Sequence, residues 1–338
     1  MMRRRAPFFS MLLGIGLLVG CGSETEPAGT GAADGQASAG ARFENLVEYV
    51  AEPVIRTEAV KPTGIAVGPD DCIFIACQQG VTVLDSRGTP LRAWATEARA
   101  HAIAVDEEGN VYVGLRDRVK KYDSEGNLLL AWGEPGRERG QFRFIASLAV
   151  RGDEVYVADA ANRAVLRFDI TGDFIEEIGK VAESGEANIV TPSMFLGVAA
   201  RENGEVVIGN PGRLRIERHT PNGRLLAKWG RPGLDPGGFS GCCNPIHIAL
   251  AGDDRLVTVE KGAARVKMHE MDGTLLAVLD ANLARSVAPD EKAGVLGPDC
   301  FGGVAVDSRG RILALHPDEG WVWVFRKSRD ATKGAQDE

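Results

Sequence analysis

The 338-residue chain contains no CxxC, no HxxxH and no other spacing that resembles a zinc site. It also holds no motif of an activated nucleophile. Any metal or catalytic set therefore has to be assembled by the fold from distant residues. Long apolar runs are missing as well. The one candidate, Phe8 to Val19, is shorter than the roughly 20 residues of a comfortable membrane span. Basic runs are confined to Arg3, Arg4 and Arg5, and the formal net charge is −8. An acidic surface without a basic patch repels nucleic acid and anionic lipid headgroups, so neither is expected as a partner.

What is present begins with those three arginines. The apolar stretch after them ends in Leu18-Val19-Gly20-Cys21. A basic start, an apolar core, a small residue and a cysteine in this order resemble the lipobox of bacterial lipoproteins. The resemblance implies cleavage after residue 20, lipidation of Cys21 and a place in the bacterial cell envelope, tied to the membrane by lipid. Gly22 and Ser23 follow. The acidic residue that serves this family as an inner-membrane retention signal is absent, so the resemblance implies the outer membrane. Removing residues 1–20 takes away three arginines and no acid, which moves the charge from −8 to −11. Residues 24–41 lack periodicity and apolar surface and read as a flexible tether. The expected organisation is a signal peptide over 1–20, lipidated cysteine and tether over 21–43, a globular domain over 44–327 and a polar tail over 328–338. About 290 residues after the tether are ample for one large core.

The globular part repeats. Residues 101–133 read "HAIAVDEEGNVYVGLRDRVKKYDSEGNLLLAWG" and 146–179 read "ASLAVRGDEVYVADAANRAVLRFDITGDFIEEIG". Each contains four short alternating or β-branched runs bounded by turn residues. First strands are expected to begin near Gly64, Ala102, Ser147, Gly197, His247 and Gly303, at spacings of 38 to 56 residues. Third strands end in turns such as Asp85-Ser-Arg-Gly88 and Asp123-Ser-Glu-Gly126. There Gly suits a left-handed position and Asp can accept from the turn's own amides. Six such units predict an all-β fold, a six-bladed β-propeller of four-stranded antiparallel blades. The phrases "PTGIAV", "GNVYV", "VYVADAANRAVLRFD" and "GGVAVDSRGRILAL" resemble NHL repeats, which implies the same fold and no single function. The sixth unit lacks a fourth strand, and Leu46–Val60 is expected to supply it and close the ring. Trp94, Trp132 and Trp229 share one repeat position and are expected to pack between blades.

Propeller geometry sorts the reactive residues. First strands begin, and second strands end, on one face, called here the upper face. Asp159 stands at a second-strand end, aligned with Cys77, Leu115, Asn210, Glu260 and His316. His101, Ser147 and His247 stand at first-strand starts. His101, His247, His316, Glu260 and Asp159 therefore converge on one channel mouth, where neutral imidazoles and carboxylates would suit a divalent metal, Zn²⁺ or Ca²⁺. Two relatives of the repeat imply such sites: amidating lyases hold zinc by histidines, and gluconolactonase-type propellers hold Ca²⁺ by a carboxylate-Asn set. Neither motif is reproduced around its ligands, so no catalytic residue carries over. His219 and His269 fall on the other face and are given no role.

Five cysteines remain besides Cys21. Cys72 and Cys77 bracket one strand about 16 Å long, beyond disulfide reach. Cys242, Cys243 and Cys300 approach neighbouring blades. They fit a structural disulfide, a redox or metal site, or free thiols. Two functions of different class follow. One is a lipid-anchored binding or scaffold module that presents its upper face to a protein, peptide or glycan. The other is a metal-dependent hydrolase or lyase, lactonase-like or amidating-lyase-like, with its site at the channel mouth.

Overall fold

The runs predicted from the repeat form strands whose order follows the chain. The computed structural model describes residues 46–179, 189–279, 283 and 301–329. Blade one is Gly64–Val67, Ile73–Cys77, Gly80–Leu84 and Pro90–Ala95, hydrogen-bonded in that order and antiparallel throughout. Four more blades repeat this order. The first strands are Gly64–Val67, Ala102–Val105, Ile145–Arg151, Gly197–Ala200, His247–Leu250 and Gly303–Val306. Together they line a central channel whose cavity is about 240 Å³.

A four-stranded sheet has two faces, and each blade buries both against its neighbours. The core is accordingly six apolar layers, one between each adjacent pair of blades. Closure is the sixth case. Trp321–Lys327, the third strand of the last blade, pairs with Tyr49–Ala51 (Tyr49 opposite Lys327, Ala51 opposite Phe325). Ile55 and Arg56 continue the pairing opposite Val322 and Trp321. The N-terminal segment thus supplies the outer strand that the last blade lacks. Ile55 and Ala59 enter the layer that joins blade six to blade one, with Ile65, Ile75, Leu313 and Val322.

The turn after each third strand couples one blade to the next. Asp123 Oδ1 accepts from the amides of Glu125 at 2.9 Å and Asn127 at 2.8 Å, as Asp85 and Asp169 do in their own turns. Gly126 has φ +90°. A Cβ there would also lie 2.7 Å from the Trp94 ring of the preceding blade. Gly172 meets Trp132 and Gly273 meets Trp229 in the same way. The repeated tryptophan is inter-blade packing, seated on a turn glycine that must be both left-handed and bare. In blade one the turn glycine, Gly88, meets Ile55 of the closing segment instead.

Candidate functional site

Two connections among the described residues, 133–144 into blade three and 230–246 into blade five, run on the upper face and are much longer than the lower-face turns. A long loop has buried amides that no ladder satisfies, so it needs acceptors from the scaffold. The repeat position at the end of the second strand supplies them. Asp159, fully buried, accepts from Arg143 N (2.7 Å), Phe144 N (3.1 Å), Ala161 N (3.0 Å) and Asn162 N (2.9 Å). Asn210 accepts from Val190 N at 3.0 Å. Glu260, also fully buried, accepts from Ser240 N at 2.9 Å and Ser240 Oγ at 3.0 Å. His316 Nδ1 accepts from the amides of Asp318 and Glu319 in its own turn.

This employment separates the residues that the sequence grouped for a metal. His101 and His247 do line the channel. The carboxylates of Asp159 and Glu260 are bound into loop anchors, and Glu260 is also paired to Lys267 (2.7 Å) and Arg265 (3.1 Å). His316 is turned to its own loop beside Trp321. Among the described residues no group of three or more His, Cys, Asp or Glu side chains is placed to hold a metal ion.

The channel histidines are neutral. Burial pushes His101 down, and the charges of Arg99 and Arg116 push it further. Burial alone pushes His247 down to about 4. The rings stand edge-on to Phe144 and Phe195 respectively. His247 Nε2 is out of solvent contact and has no hydrogen-bond partner in the protein.

The segment Gly241-Cys-Cys-Asn-Pro-Ile-His247 is held by its asparagine. Asn244 Nδ2 donates to Ser240 O (2.7 Å) and Lys261 O (3.1 Å), and Asn244 Oδ1 accepts from Lys261 N (2.9 Å). Cys242 and Cys243 are thiols with Sγ atoms 3.7 Å apart, the first exposed and the second buried. Cys72 and Cys77 are thiols too. Cys21 and Cys300 lie outside the described residues.

Three features escaped the sequence. Lys267 is completely buried, 4.3 Å above the Phe239 ring, and donates to Gly238 O (2.8 Å) and Pro236 O (3.2 Å). Together with Glu260 it fixes the loop 231–240 from below. In blade four, His219 faces Glu217 (3.0 Å) and the carbonyl of Gly223 (3.2 Å), so it is a structural residue. Burial would raise the Glu217 carboxyl, but hydrogen bonds from His219 and Arg215 outweigh it and hold it low. The third feature is a group of upper-face arginines from separate loops, among them Arg116, Arg137, Arg143 and Arg163. They are too far apart in sequence to register as a basic run. Only the alternation of blade strands brings them to one face.

No family model matches the sequence, and no curated protein matches it. The likeness to NHL repeats therefore rests on the quoted motifs. Solved structures do match. A streptogramin B lyase is 12% identical, with a TM-score of 0.54 over 83% of this chain and 98% of that one. Virginiamycin B lyase from Staphylococcus aureus, solved as a catalytically inactive variant with quinupristin, is 12% identical with a TM-score of 0.55, over 83% and 100% of the two chains. The WD40 β-propeller domain of Doa1 is 11% identical with a TM-score of 0.52, over 84% and 99%. The chain is a β-propeller. At these identities the likeness shows the fold and nothing of the chemistry.

Proposed function

We propose that the protein is a binding module of the bacterial cell envelope, lipid-anchored through Cys21, that presents its upper face to a partner. One observation supports this most. The lower face is made of tight turns, Asp-x-x-Gly in several blades, whereas the upper face carries long loops fixed to the scaffold by buried polar side chains. Loops positioned by a rigid frame are where binding residues concentrate. Leu234, at the tip of the loop 231–240, is 84% exposed, an apolar side chain set out for contact. The fold itself suits such a role and is shared with propellers of both binding and enzymatic kinds.

The test is site-specific photo-crosslinking in cells. A crosslinking residue in place of Leu234 should give discrete adducts, and one in place of Glu125, exposed on a lower-face turn, should give none. Equal adducts from both faces, or none from the upper one, refute the assignment. The mass of the N-terminal peptide tests the anchor, with unmodified Cys21 as the refuting result.

A second function is favoured by one feature of the channel. Neutral His247, whose buried Nε2 has no hydrogen-bond partner in the protein, lines the same cavity as His101. A small ligand or a divalent ion taken up there would make the channel mouth a hydrolase or lyase site. Elemental analysis of the purified protein, wild type against His247→Ala, separates this from the binding module. Equal metal content in the two leaves only the binding module.

A further inference from the structure

Two upper-face loops share one framework. Residues 134–142, "EPGRERGQF", and 231–239, "RPGLDPGGF", align without a gap. Each is pinned by a parallel bridge between its proline and its phenylalanine, Pro135 with Phe142 and Pro232 with Phe239. Each phenylalanine is buried. The second copy is charge-neutral at its surface, because Arg231 is paired to Asp235 at 2.6 Å. The first copy, which also carries Glu134, Glu138 and an Arg139 in place of Pro236, differs in its arginines. Arg137 stands where the other has Leu234, and Arg143 stands where it has Ser240. The framework does not need these arginines, since its own duplicate forms without them.

Arg137 and Arg143 join Arg116 around a hollow of about 370 Å³ walled by Pro135, Gly136 and Phe142. The acidic residue in that wall, Asp117, is already paired to Arg118 at 3.3 Å. A second hollow of about 370 Å³ shares Arg137 and Arg143 and adds Arg163, with Glu138 and Glu177 on its rim. Arg99 extends the positive field toward the channel, where it and Arg116 act on His101. Among the described residues Arg99, Arg116, Arg137 and Arg163 have no ion-pair partner, and Arg143 makes one bond to a carbonyl, Ala161 O at 3.2 Å. On the opposite face, the turns 106–110 and 123–127 hold five acids and no cation. The molecule is thus acidic in sum yet basic in this sector. The loop is also rigid: Asn162 Nδ2 bonds Asp159 Oδ2 (2.8 Å), Gly136 O (3.1 Å) and Gln141 O (3.4 Å). Guanidinium groups held on a braced loop bind oxyanions in paired hydrogen bonds with little further ordering.

We infer that Arg116, Arg137 and Arg143 form a recognition site for a small ligand that carries at least two oxyanion charges, phosphate or carboxylate. This rests on the upper face being the binding face and names the chemistry of what it takes. The experiment is titration calorimetry of the full chain with inorganic tripolyphosphate and, separately, with citrate, at low and at physiological salt. One of the two should bind with one-to-one stoichiometry, and which of them binds tells phosphate from carboxylate. The double variant Arg137→Leu, Arg143→Ser takes the sister loop's residues at these two positions and should fold normally. It should bind at least tenfold more weakly, whereas the lower-face variant Arg224→Ala should bind as wild type does. Binding unchanged in the double variant overturns the site. Binding of neither anion overturns it as well, and so does binding of oligothymidylate alone, which would mark a nucleic-acid surface. The two proposals fail separately. Crosslinks from Leu234 without anion binding leave the binding module standing and remove the oxyanion site. Anion binding lost in the double variant, with no crosslinks, does the reverse.

Discussion

Exchanging Glu260 for Gln tests what holds the upper face in place. The carboxylate is fully buried between Lys267 (2.7 Å), Arg265 (3.1 Å) and Ser240. Burial lowers the Lys267 ammonium pKa, and the charge of Glu260 works against that shift. Glu260→Gln leaves two cations without their counter-charge, and removing one partner of a buried pair costs about 3–5 kcal/mol. Lys267→Met leaves Glu260 with Arg265 and Ser240 but strips Pro236 O and Gly238 O of their donor. Unsatisfied buried acceptors cost roughly 1–3 kcal/mol each. The double variant removes both charges, so it should cost less than the sum of the singles by about 2 kcal/mol or more. Urea unfolding followed by tryptophan fluorescence reads all four corners of the cycle, and excess chelator keeps metal out of the comparison. If Glu260 served a metal instead, Glu260→Gln would leave the chelated protein about as stable as wild type. Singles that add within about 0.5 kcal/mol would refute the pairing as the anchor of the loop. A functional readout goes with it: the loop 231–240 should become protease-sensitive in Glu260→Gln.

Three further outcomes are expected. Deleting residues 46–58 removes the strands at Tyr49–Ala51 and Ile55–Arg56 and exposes an edge along Trp321–Lys327, so the truncated chain should aggregate or lose several kcal/mol of stability; an unchanged denaturation midpoint would sink the closure. His269 is pushed down to about 3 by burial and by the Lys267 charge. The unfolded chain takes up its proton near pH 6.5 and the native chain does not, so stability falls as pH drops from about 6.5 toward 3. Over pH 6.5 to 4.5 this is worth up to about 2.7 kcal/mol, and His269→Gln should remove that part of the slope, with an identical slope in both proteins as the contrary result. Cys242 is exposed whereas Cys77 and Cys243 are buried; a thiol reagent should label Cys242 in the native protein and the other two only in denaturant, and an unreactive Cys242 would show that it is not a thiol in solution.

The architecture was legible because its causes are local and repeated. Strand alternation, the Asp-x-x-Gly turn and the tryptophan that rests on its glycine recur at fixed offsets, and the missing sixth outer strand pointed to its replacement at residues 46–60. The channel histidines were also legible, since a first-strand start can only lie at the mouth. The roles of Asp159 and Glu260 were not. Alignment places a buried carboxylate at a second-strand end, but it does not reveal the amides that a long loop leaves without partners. Asp159 meets the amides of Arg143 and Phe144, sixteen and fifteen residues earlier, and Glu260 meets that of Ser240, twenty residues earlier. Those loops have no periodicity to read, so their demand for acceptors was invisible. The same gap hid the arginines. Net charge averages over both faces, whereas the fold separates them, and Arg116, Arg137 and Arg143 become neighbours only because a turn within blade two and the connection from blade two to blade three return to one side. A long connection in such a repeat therefore makes its own demand on the sequence. One residue of the framework must hold it down, and its polar atoms are engaged by the amides of the loop. In the loop 134–142, of the cations that its sister loop lacks, Arg139 is spent on the Phe174 ring at 5.1 Å, whereas Arg137 has no ion-pair partner among the described residues.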